Sequence, residues 1–165
     1  MSSRQLQNSP RTETALGTLI RVYGLVKRIM EPYFTGFGIS GSHWGILRAL
    51  HRAEREGLTG LRLTDLGDRL LIRPPSVTGA IDRLLRMGLV ARNASPTDMR
   101  AKHVSLTDEG RKLVDRVRRN LPARAQFVLG GLDGTQQRTL QELLNRLGSH
   151  LEPIVEQEEK SGHKV

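Results

Sequence analysis

The chain has 165 residues, with 26 Lys plus Arg against 17 Asp plus Glu, a formal charge of +9, 37% hydrophobic and 4% aromatic residues, and no cysteine. That length suits one compact domain, with or without a dimerising extension, built on an aliphatic core, and the basic balance points to an anionic partner, nucleic acid above all. A disulfide scaffold, a Cys-ligated zinc, an iron–sulfur cluster and a thiol sensor are excluded, no run of 18 apolar residues is present to span a membrane, and the polar stretch Met1 to Pro10 lacks the apolar region of a secretory signal, so a cytoplasmic protein is expected.

Residues 1–9 read as a disordered lead. Ser9-Pro10 reads as a helix start, and Leu16, Leu19, Ile20, Tyr23, Val26, Ile29 and Met30 recur at helical spacing, which predicts a long helix over about residues 10–31, ended or bent at Pro32. Gly36, Gly38 and Gly41 mark a loop. Ser42 is then expected to cap a helix with Trp44, Leu47 and Leu50 on one face, and Thr64 to cap a short helix carrying Leu66 and Leu70. After Ile72-Arg73-Pro74-Pro75, a tight connection, a helix over about residues 75–87 buries Val77, Ile81, Leu84 and Leu85 and stops at Gly88. The period then switches to two. Residues 89–92 and 101–106 predict a two-stranded hairpin around the turn at residues 93–98, with Arg100 and Lys102 at its basic tip. Thr107 caps a helix with the stripe Leu113, Val117, Leu121 and Val128, kinked at Pro122 and ended at Gly130-Gly131. Asp133 and Gln136 form a capping box for a last helix with Leu140, Leu143, Leu144, Leu147 and Leu151 in line. Residues 156–165 read as a flexible charged tail.

The fold class expected is mostly α with a small β-wing. Residues 38–106 form a winged helix-turn-helix domain, and residues 10–37 and 107–155 a helical dimerisation region. The charge is focused in the winged part. Residues 69–102 carry seven basic residues against two acidic ones, whereas the stretch from Asp133 onward carries four against six. A helix is narrow enough to enter the major groove of duplex DNA, and the helix opening at Pro75 holds itself to the core by its apolar face while offering Ser76, Thr78, Gly79 and Arg83 outward. Arg73 stands just before that helix, where backbone N–H groups also face phosphate. Arg100, with Lys102 beside it, is placed to reach the adjacent minor groove.

In these residues the sequence resembles the MarR family of bacterial transcriptional regulators. The resemblance rests on Leu63-Thr64-Asp65-Leu66, Ser76-Val77-Thr78, Ile81-Asp82-Arg83-Leu84, Gly88-Leu89-Val90 and Asp98-Met99-Arg100 followed by Leu106-Thr107, and it covers roughly residues 12–150. It implies a homodimer whose first and last two helices interleave with the partner's, and a pseudo-palindromic double-stranded operator with half-sites about one turn apart. It also implies that Arg100 reads the minor groove while Asp98 orients the wing by ion pairing. A repressor relieved by a small ligand, aromatic or phenolic by analogy, is the function it suggests. The alternative is an effector-independent or architectural DNA-binding regulator. Two positions depart from the family pattern: Arg73 stands where a Ser or Thr cap is common, and Gly79 where a larger residue is. The lack of cysteine excludes the peroxide-sensing branch.

Tyr23, His43 and Trp44 are the candidates for lining an effector cleft between the lobes. Helical spacing favours core packing for Tyr23 and Trp44, and a first-turn position favours solvation for His43. The histidines are scattered, so no metal site is expected, and neither a phosphate-binding loop, a dinucleotide fingerprint nor a nucleophile elbow occurs. No cofactor and no enzyme activity are expected. The run Arg116, Arg118, Arg119 reads either as a solvated face or as a contact to flanking DNA.

Overall fold

A computed structural model describes residues 14–70, 74–94 and 102–162. The element order is α1 (Ala15–Thr35), α2 (Gly41–Arg55), β1 (Leu61–Arg62), α3 (Leu63–Leu70), α4 (Pro74–Arg86), β2 (Val90–Ala94), β3 (Lys102–Leu106), α5 (Asp108–Leu129) and α6 (Gly134–Gly162). The chain divides into two compact units, one up to Asn120 and one from Leu121.

The core of the first unit is aliphatic, as the composition requires. Ile46, Leu47 and Leu50 of α2, Leu66 of α3, Val77, Ile81 and Leu84 of α4, Val104 of β3, and Val114 and Val117 of α5 are all fully buried. Phe34 and Trp44 stack at its edge with ring centroids 5.9 Å apart. The strands form one antiparallel sheet in the order β1-β3-β2, with Leu61 opposite Val104 and Val90 opposite Leu106. The expected hairpin is therefore two strands of three. The missed strand, β1, is two residues long, too short to show any alternation in sequence.

Several boundaries move. Thr14 caps α1, its hydroxyl accepting from the Gly17 N–H at 3.1 Å, so the helix starts at Ala15; the expected start at Ser9-Pro10 and the lead before it lie outside the described residues. Pro32 sits inside α1, which ends three residues later. Ser40, not Ser42, caps α2. Thr64 lies within α3, and the carboxylate of Asp65 takes the Arg62 N–H at 3.2 Å. Gly88 ends α4 as expected, at φ +69°, a conformation in which a side chain would clash with its own backbone. Thr107 is the expected cap of α5, accepting from the Gly110 N–H at 3.1 Å, and its own hydroxyl donates to the Gly88 carbonyl at 2.7 Å. The helix α5 continues through Pro122. The Asp133–Gln136 box closes as expected: the Asp133 carboxylate accepts from Gln136 N at 2.9 Å, and the Gln136 side chain accepts from Asp133 N at 3.0 Å. The tail read as flexible is helical as far as Gly162, because the apolar row of α6 extends to Ile154 and Glu and Lys are good helix formers. Among the described residues no helix is long and apolar enough to cross a membrane.

Candidate nucleic-acid interface

The helix α4 is amphipathic in the sense that matters for reading DNA. Val77, Ile81 and Leu84 fix it to α2 and α3, and Ser76, Thr78, Gly79, Asp82, Arg83 and Arg86 are exposed. A Cβ added at Gly79 would meet nothing within 4 Å, so this point of the helix faces open space. Pro75 lies in the first turn of α4. Lys102 is the first residue of β3. Arg73, Asp98 and Arg100 lie outside the described residues.

The wing strands are tied to this helix. Arg92 of β2 donates to the Asp82 carboxylate of α4 at 2.7 Å, an exposed pair worth roughly 0–1 kcal/mol to stability. It links the exposed face of the helix to the root of the wing. Across the sheet, Asn93 donates to the Ser105 hydroxyl at 2.7 Å. Neither Asp82 nor Arg92 was singled out as a site residue in sequence, where ten positions separate them and only the α4–β2 turn at Gly88 brings them together.

His43 is not solvated as its first-turn position suggested; it is 8% exposed. The ring folds back over the cap: Nδ1 accepts from the Ser40 N–H at 3.2 Å, while the Ser40 hydroxyl accepts from the His43 N–H at 3.2 Å. This is a capping box with histidine in place of the usual Glu or Gln. Burial holds the imidazole below its ordinary pKa, the positive Arg83 of α4 adds to the depression, and Glu31 opposes both. A proton on Nδ1 would also face the Ser40 N–H that it now accepts from. The unfolded chain takes up this proton near pH 6.5 and the folded chain only at lower pH, so stability declines as pH falls through about 6.5. In His43→Gln, which keeps the box without the titrating ring, that part of the decline is expected to vanish; thermal midpoints of both proteins between pH 5 and 8 measure it.

Trp44 is core, as its spacing indicated, at 7% exposed. Tyr23 is not packed within the subunit: it is 63% exposed with Lys27 over its ring, so helical spacing identified its face but not what covers that face. Tyr23 thus stands on an exposed face of α1, whereas His43 and Trp44 are buried neighbours in α2. Among the described residues no group of three or more His, Cys, Asp or Glu is placed to hold a metal.

A helix seated on the core by one face and polar on the other, preceded by a short helix and followed by a sheet that projects a hairpin, defines a winged helix-turn-helix protein. Residues 37–101 match the MarR family at the sequence level. The chain is 31% identical over 117 residues to the HTH-type transcriptional regulator FarR of Neisseria gonorrhoeae, covering 71% of this chain and 77% of that protein. It is 29% identical over 136 residues to the HTH-type transcriptional regulator PecS of Dickeya dadantii, covering 82% and 81%. Among solved structures, a variant of E. coli MarR complexed with operator DNA superposes with a TM-score of 0.71 at 24% identity, over 80% of this chain and 92% of that one. A Mycobacterium tuberculosis MarR family protein in complex with salicylic acid gives 0.66 at 25%, over 81% and 96%. The chain belongs to the MarR family and is a DNA-binding transcriptional regulator.

Proposed function

We propose that two copies of the chain pair and place two α4 helices in successive major-groove segments of a pseudo-palindromic operator, as a cytoplasmic repressor released by a small ligand. The observation that carries this reading is the division of α4 into a buried apolar face and an open polar one. Ser76 and Thr78 contact base edges or phosphate, Arg83 approaches phosphate, and Pro75 with Arg73 sets the entry of the helix. Lys102 anchors the wing's basic side, Arg100 enters the minor groove and Asp98 orients it. The small Gly79 permits close backbone approach.

Pairing is supported by two apolar rows that one subunit leaves in water. On α1, Leu16, Ile20 and Tyr23 are each more than 60% exposed; on α6, Leu143 and Leu151 are 55% and 45% exposed. Exposed apolar area of this extent marks an interface. The E. coli relative is recorded on operator DNA and the mycobacterial one with salicylic acid, which supports the operator and a small-molecule effector here.

Fluorescence anisotropy on dyad-symmetric DNA from the promoter beside its own gene tests the reading: salt-dependent binding is expected, and equal affinity for scrambled DNA would defeat it. Ser76→Ala or Thr78→Ala is expected to cost about 1–3 kcal/mol on the cognate site and much less on other sequences, if the hydroxyl reads a base. A uniform loss reassigns that residue to phosphate.

A further inference from the structure

The first turn of α2 is closed by a ring that can take up a proton. His43 Nδ1 accepts from the Ser40 N–H at 3.2 Å and lies 3.0 Å from the Ser40 hydroxyl, which can donate to it as well. The neutral ring therefore carries its hydrogen on Nε2. A second N–H of this turn, that of Gly41, donates to a carboxylate oxygen of Glu31 in α1 at 3.2 Å. Trp44, the residue after His43, stacks on Phe34 of α1. The turn is thus the joint between α1 and α2, and α2 in turn packs on α4.

Two charged groups act on the ring from the elements around it: Glu31 from α1 and Arg83 from the exposed face of α4. The other elements packed on α2, α3 and β3, bring no charge to bear on it among the described residues. Arg83 has no carboxylate partner among them, so no ion pair opposes its displacement. A proton on Nδ1 turns the acceptor into a donor. The Ser40 hydroxyl can rotate to meet it, but the Ser40 backbone N–H cannot, and the box loses one of its two bonds. The charged ring also draws the Glu31 carboxylate away from the Gly41 N–H and repels the Arg83 guanidinium.

We propose that His43 is a proton-operated switch on DNA recognition: protonation opens the Ser40 box, loosens the seat of α4 and reduces the preference for the operator over other DNA. The inference rests on the reading of α4 given above. A Gln at this position closes the same box without a titrating ring, so the device belongs to the imidazole. An added positive charge near DNA strengthens binding to every sequence. The switch is therefore read in the ratio of operator to scrambled-DNA affinity, in which that common gain cancels.

Anisotropy of the full-length protein on operator and on scrambled DNA is measured from about pH 7.5 to pH 5 at constant ionic strength, with circular dichroism to establish that the protein is folded at each pH. The operator's advantage is expected to fall about tenfold in the wild type and to change less than about twofold in His43→Gln. Glu31→Gln keeps an acceptor for the Gly41 N–H but removes the attraction for the charged ring, so it should move the fall to lower pH. By reciprocity, His43 must hold its proton less tightly on the operator than on scrambled DNA, since both supply the same phosphate charge. The His43 ring signal, titrated by NMR in the two wild-type complexes, should show the lower midpoint on the operator, a measurement that needs no variant. A constant ratio in the wild type, the same fall in His43→Gln, or equal midpoints in the two complexes overturns the inference. Absence of any operator preference at pH 7.5 would refute the regulator reading and the switch with it, whereas a preference that ignores acid refutes the switch alone.

Discussion

Ile81→Ala is expected to destabilise the protein by about 2–5 kcal/mol, a large part of the roughly 5–15 kcal/mol that holds a domain folded. Ile81 is fully buried between the equally buried Val77 and Leu84, so truncation removes the middle contact by which α4 is seated and leaves a cavity under the recognition helix. Ile81→Val should cost only about 0.5–1.5 kcal/mol, because a single methylene is lost. Urea unfolding of the three proteins measures the series. Operator affinity should fall further for Ile81→Ala than the folded fraction accounts for, since a loosened helix presents Ser76 and Thr78 over a range of angles. A cost below about 1 kcal/mol for the alanine variant would mean that α4 is held mainly by something other than its apolar face.

Leu147→Glu combined with Leu151→Glu is expected to dissociate the dimer and lower operator affinity on the order of a hundredfold, about 2.8 kcal/mol. Both leucines are substantially exposed in one chain, 39% and 45%, and stand in the row that runs from Leu143 to Ile154. Burying a leucine completely is worth about 1.5–3 kcal/mol, so a paired row supplies much of an interface, and two carboxylates at its centre remove that gain and add a desolvation cost. One subunit then reaches only one half-site. Because both side chains are exposed in the single chain, helical content should be largely unchanged. Sedimentation velocity, circular dichroism and anisotropy together check this; a variant that stays dimeric would move the interface away from α6.

Every helix of this fold was legible in the sequence, because each carries either a long apolar stripe or strong end signals, and Gly88, Thr107 and the Asp133–Gln136 pair stop or start helices where local chemistry requires it. Much of what could not be read depends on residues distant in the chain; the Ser40–His43 cap is the local exception, three residues apart. The two-residue strand β1 exists because Leu61 and Arg62 meet Val104 and His103. His43 is buried because its ring closes the Ser40 cap, whereas the more obvious Ser42 lies within the helix. Helical spacing placed both Trp44 and Tyr23 on apolar faces, yet only Trp44 meets a partner ring within the subunit. The polar face of α4 was foreseeable residue by residue, since its apolar face was. The Asp82–Arg92 pair was not, since opposite charges attract attention only once the fold sets them side by side.

The bare surface at Gly79 bears on how such a regulator changes its target. Because an added side chain there would displace no neighbour, and almost any residue favours a helix more than glycine does, by up to about 1 kcal/mol, substitution at this position carries no penalty in folding. On the docking proposed above, natural variation can try new operator preferences at this one helical position while the scaffold stays constant, which makes position 79 a natural starting point for retargeting the protein to another promoter.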